Sequence, residues 1–143
     1  MKQVILTFLF CFIIASIYGQ ATSLKMTKEK NQEWLKTLRS VDKAEQLLMV
    51  KERFFVPQPA QNESSERIIA VPILVIDGIA ITETLSDNSR EQLLQLLTEE
   101  TVKEIAVFDE EPKEVYINRG WSGIIAVVLY KKASRKLQKI KIE

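Results

Sequence analysis

A chain of 143 residues is long enough for one modest domain, and 46% of it is hydrophobic. Basic and acidic residues nearly balance at 20 and 19, so no basic field spans the chain to bind nucleic acid. Histidine is absent and cysteine occurs once, which excludes Ser-His and Cys-His catalytic pairs and an internal disulfide.

Lys2 opens an apolar run, Val4 to Ile17, broken only by Thr7 and Ser16 and followed by small residues. A charged start, an apolar stretch and small residues form the secretory signal pattern. Residues 1–19 therefore read as a signal peptide, cleaved after Gly19 or Ala21. The run is shorter than the roughly 20 apolar residues of a transmembrane helix, and an uncleaved anchor is the alternative. Cys11 lies inside the run behind Leu9 and Phe10, without the small neighbour of a lipid-modified cysteine. It reads as part of the signal, so the mature chain holds no thiol for a disulfide or a zinc site. That scarcity favours a bacterial envelope over a eukaryotic secretory origin.

Residues 20–56 form a charged, helix-favouring arm with no Gly or Pro after Thr27. Trp34, Leu35 and Leu38, then Val41, Ala44, Leu47, Leu48 and Phe55, recur at helical spacing. The expectation is one helix broken near Ser40, or two in series, with Ser40 as an N-cap. Residues 57–67, rich in Pro, Gln and Ser, read as a linker loop.

From residue 68 to residue 143 the pattern is that of a small α+β domain. Ile68–Val71 and Ile73–Ile76 are nearly all apolar, as in strands covered on both faces. Pro72 marks an edge or a strand start. Asp77-Gly78 predicts a tight hairpin turn into Ile79–Ile81. Ser86–Ser89 caps a helix carrying Leu93, Leu94 and Leu97 on one face. Val102–Phe108 reads as a buried strand, Pro112 as the start of a short helix to Asn118, and Arg119–Gly123 as a glycine turn. Ile124–Tyr130 is the most strand-prone stretch. Leu137, Ile140 and Ile142 suggest a final edge strand. The fold class is thus α+β: a small mixed sheet with short helices, preceded by an amphipathic helical arm.

Three pieces carry a family likeness. They are Val71-Pro72-Ile73-Leu74-Val75-Ile76-Asp77-Gly78, then Val102–Phe108, and then Val115-Tyr116-Ile117-Asn118-Arg119-Gly120-Trp121-Ser122-Gly123-Ile124-Ile125. In this order and spacing they resemble the plug domain of TonB-dependent outer-membrane receptors, with Tyr116, Arg119, Gly120 and Gly123 at matching positions. The chain departs from that family at Ile117 and Trp121-Ser122, and no barrel-forming strands follow Lys132. The resemblance implies a stand-alone plug-like domain of a Bacteroidota-type envelope, without the pore that a plug closes.

Arg119, Trp121 and Tyr116 are the candidate binding residues, because arginine beside aromatics in a turn is the composition of interface hot spots. Asp77, Gly78, Gly120 and Gly123 are candidate structural turn residues. Asp109-Glu110-Glu111 lacks the ligand spacing of a calcium loop and reads as acidic surface. No catalytic residue, metal site or cofactor is expected. The resulting expectation is a non-catalytic module in the periplasm or at the outer-membrane periphery. It would bind another envelope or outer-membrane protein through the Arg119–Trp121 turn or a sheet edge. The alternative is a periplasmic small-ligand carrier or sensor with a pocket between arm and sheet. A third reading lays the basic tail (Lys131, Lys132, Arg135, Lys136, Lys139, Lys141) on anionic lipid.

Overall fold

The computed structural model describes residues 24–56, 69–82, 84–112 and 121–142. The expected signal peptide, the linker, the helix from Pro112 to Asn118, and Tyr116, Arg119 and Gly120 fall wholly or mainly outside these residues.

The described chain opens with β1 (Met26–Thr27) and passes directly into α1 (Lys28–Ser40). Thr27 caps this helix, its side chain accepting from the Lys30 N–H. Helix α2 (Lys43–Phe54) follows after two residues. The break falls where the sequence placed it, but the cap does not. Asp42 accepts the Glu45 N–H at 3.0 Å, whereas Ser40 closes the preceding helix by donating to Thr37 O. Ser40 still sits at helical angles, so the residue that turns extended ahead of the second helix supplies the cap.

Two sheets are present among the described residues. A two-residue ribbon pairs β1 with β2 (Ile69–Ala70), Met26 opposite Ala70 and Thr27 opposite Ile69. The main sheet holds β3 (Ile73–Ile76), β4 (Ile79–Ile81), β5 (Val102–Phe108) and β6 (Ile124–Leu129) in the order β4-β3-β6-β5. β3 and β6 run parallel at its centre, flanked by antiparallel partners. Pro72 stands just before β3, where no ladder donor is lost.

Asp77 and Gly78 join β3 to β4, at φ of 46° and 83°. Two consecutive positive φ values fit the hairpin turn whose twist matches its strands. Helix α3 (Asp87–Leu96) is capped by Ser86, as the cluster of capping residues predicts.

The C-terminus departs from expectation. Residues Lys131–Leu137 form helix α4, not the lead-in to an edge strand. Ala133 and Leu137, four apart, are both buried, and the remaining positions carry Lys, Ser and Arg. Helical spacing thus decides over the isoleucines that follow.

Each of the four helices among the described residues contributes buried apolar residues to one core. Leu35 and Leu38, Leu47 and Val50, Leu93 and Leu96, Ala133 and Leu137 meet Leu74, Ile76, Ile125 and Val127 of the central strands. The N-terminal arm therefore packs on its own sheet.

Candidate interaction surface

Side chains alternate across a strand, so each strand of this sheet has one set of residues under the helices and one set opposite. Register fixes the opposite set. Ile73 pairs with Ile124, which pairs with Phe108, giving one row of large apolar side chains. The next row is Ala80, Val75, Ala126 and Ala106. Beyond it Val128 stands opposite Glu104. This face is apolar yet open: Ile73 and Phe108 are each 52% exposed and Val128 is 38% exposed. In contrast, Leu74, Ile76, Ile125 and Val127 on the helix side are at most 1% exposed.

The expectation of strands covered on both faces thus holds on one face only. Both parities of β3 and β6 are apolar because parallel strands are ordinarily sandwiched between layers. Here the second layer is missing among the described residues. The two ends of the edge strand β5 differ in charge, with Lys103 and Glu104 side by side at one end and Glu110 and Glu111 exposed just beyond Phe108 at the other.

A second cluster gathers where the chain leaves β5 and re-enters β6. Asp109 is 6% exposed, and its carboxylate accepts from Arg39 Nη1 at 2.7 Å. Its backbone oxygen accepts from Gln32 Nε2 at 3.0 Å and from the Trp121 indole N–H at 3.2 Å. Asn31 Nδ2 donates to Ser122 O at 2.8 Å. Trp121, the one binding candidate within the described residues, is half-buried with its polar edge turned onto its own loop. Gly123 sits at φ 93°, where a Cβ would lie 2.5 Å from Leu35 Cδ1. Asp77 keeps its turn role and also accepts the Leu129 N–H. Gly78, at φ 83°, has open space around it.

Arg53 lies in the charged, helix-favouring arm, where nothing in the sequence singles it out. It is 1% exposed. Its guanidinium lies 4.2 Å from the Trp34 ring centroid and donates from Nη2 to Asn31 Oδ1 (2.7 Å) and Leu24 O (3.1 Å). Nε and Nη1 have no hydrogen-bond partner among the described residues. Burial holds its pKa down at about 10.

An open groove of about 610 Å³ runs along α2 beside Leu47 and Leu48, rimmed by Asp42, Glu45 and Glu99. The space between arm and sheet is instead filled by Leu35, Leu38, Val50 and Phe55, each 0% exposed. Among the described residues, no three His, Cys, Asp or Glu side chains gather as a metal site, and no helix is long and apolar enough to cross a membrane.

Compared with models of known families, with curated proteins and with solved structures, the chain has no match.

Proposed function

We propose that the chain is an exported, non-catalytic interaction module of plug-like fold that binds another protein of the cell envelope. The observation that carries this reading is the open apolar face of Ile73, Ile124, Phe108, Val75, Ala126 and Val128. Apolar surface left in water forgoes about 25 cal/mol per Å², and a contiguous patch of it marks an interaction site. The resemblance to receptor plugs supports the same reading. Of the pieces that carry that likeness, Ile73–Gly78, Val102–Phe108 and Ile124-Ile125 lie in neighbouring strands and turns of one sheet. Export rests on the N-terminal sequence pattern.

The test is capture from crosslinked envelopes of the host, comparing the tagged wild type with Ile73→Glu/Phe108→Glu. Both substituted positions are half-exposed, so the variant should melt within a few degrees of wild type. The reading expects an envelope protein enriched by wild type and lost with the variant. Equal capture by both, or none by either, overturns it.

A further inference from the structure

The open face has a size and a charge that select its occupant. Neighbouring strands lie about 4.8 Å apart and same-face residues about 6.7 Å apart along a strand, so four strands and three rows span roughly 14 by 13 Å. Two folded copies meeting on that footprint would fall well short of the ~800 Å² per partner typical of a stable pair. An α-helix is about 10 Å wide and rises 1.5 Å per residue, so two to three turns, about nine to eleven residues, cover the face.

Charge narrows the choice further. Along β5 the open face carries Lys103 and Glu104 side by side opposite Val128, and the carboxylates without a neighbouring cation on the strand are Glu110 and Glu111 beyond Phe108, while Asp109 is already held by Arg39. The large-residue row at Ile73, Ile124 and Phe108 is apolar throughout. The chain's own basic helix, α4, is already committed to the opposite layer through Ala133 and Leu137. We infer that the open face seats one short amphipathic helix of a partner protein, with an apolar stripe toward the sheet and Lys or Arg beside that stripe. This inference rests on the interaction-module reading and names the partner element.

The experiment places p-benzoyl-phenylalanine at Val128 or at Ile73 of the full chain in its host, irradiates, and maps the crosslinked peptide by mass spectrometry. The expected result is one partner segment reached from both positions, about nine to eleven residues with apolar residues at helical spacing and basic flanks. Glu110→Lys/Glu111→Lys should lower that yield roughly fivefold, as reversing interfacial charge does. A partner segment of alternating, strand-like pattern, or a yield unmoved by Glu110→Lys/Glu111→Lys, overturns the helix and leaves the interaction module standing. Crosslinks to a second copy or to another part of this chain overturn the inference too. No crosslink from either position overturns both readings.

Discussion

The carboxylate of Asp77 accepts the backbone N–H of Leu129 at 2.8 Å, across the parallel β3–β6 pair. One residue therefore shapes the hairpin with its backbone and extends the central ladder with its side chain. Asp77→Ala should cost about 1–3 kcal/mol, because it strands a part-buried donor and puts a Cβ-only side chain at positive φ. Asp77→Asn keeps an acceptor and tolerates the turn, so it should cost under about 1 kcal/mol. Urea midpoints of the two variants decide the matter.

Gly123 and Leu35 form a close approach between turn and helix. Gly123→Ala should lose about 2–4 kcal/mol from the 2.5 Å overlap with Leu35 Cδ1 together with the left-handed backbone. Leu35→Ala alone should lose about 2–5 kcal/mol by opening a cavity. The double variant should lose less than the sum, since the smaller side chain removes the overlap. A strictly additive result would mean that the backbone angle alone sets the cost.

Much of this architecture was legible. The strand Val102–Phe108 and the Asp77-Gly78 hairpin were recoverable because β-branched runs end at residues that favour turns. The cap at Ser86 was recoverable because hydroxyls accept the free N–H groups that open a helix. The C-terminal helix was missed because Ile140 and Ile142 suggested alternation, while Ala133 and Leu137 carried the buried face. Two features, the open sheet face and the buried Arg53, were hidden for different reasons. An apolar strand residue such as Ile73 reports that it seeks cover, not whether its own chain supplies it. Arg53 sits in a charged stretch, and only the neighbours Trp34 and Asn31, a full helix away in sequence, reveal that it is buried.

The buried guanidinium has a specific cost. Arg53→Lys should lose about 2–4 kcal/mol, since a compact ammonium keeps the buried charge but loses the planar stack on Trp34. Arg53→Met should lose less, because it removes the unpartnered donors with the charge. The pH dependence follows from the lowered pKa. Above about pH 10 the folded chain releases the Arg53 proton while the unfolded chain still holds it. The unfolded state then binds more protons, so wild-type stability should rise relative to Arg53→Met as pH climbs past that value. Paired chemical-denaturation curves from pH 7 to 11 check both claims.

Arg39 and Asp109 are unequal partners, with side chains 59% and 7% exposed. Arg39→Ala should cost about 1–3 kcal/mol, more than an ordinary surface pair, because it leaves a buried carboxylate unmatched. Adding Asp109→Asn should recover part of that loss by removing the charge. Thermal melts of the single and double variants measure the coupling.

The ribbon joining Met26–Thr27 to Ile69–Ala70 makes α1 and α2 an excursion between two paired strands. Their apolar faces complete the same core as β3 and β6. Hydrolysis of one peptide bond between residues 56 and 69 should therefore yield two fragments that stay together, held by ribbon and core. Expressed as separate polypeptides, the two pieces should each be insoluble or unstructured, and should regain a cooperative melt when mixed. The chain is then a ready-made split protein, in which folding of one fragment reports the arrival of the other.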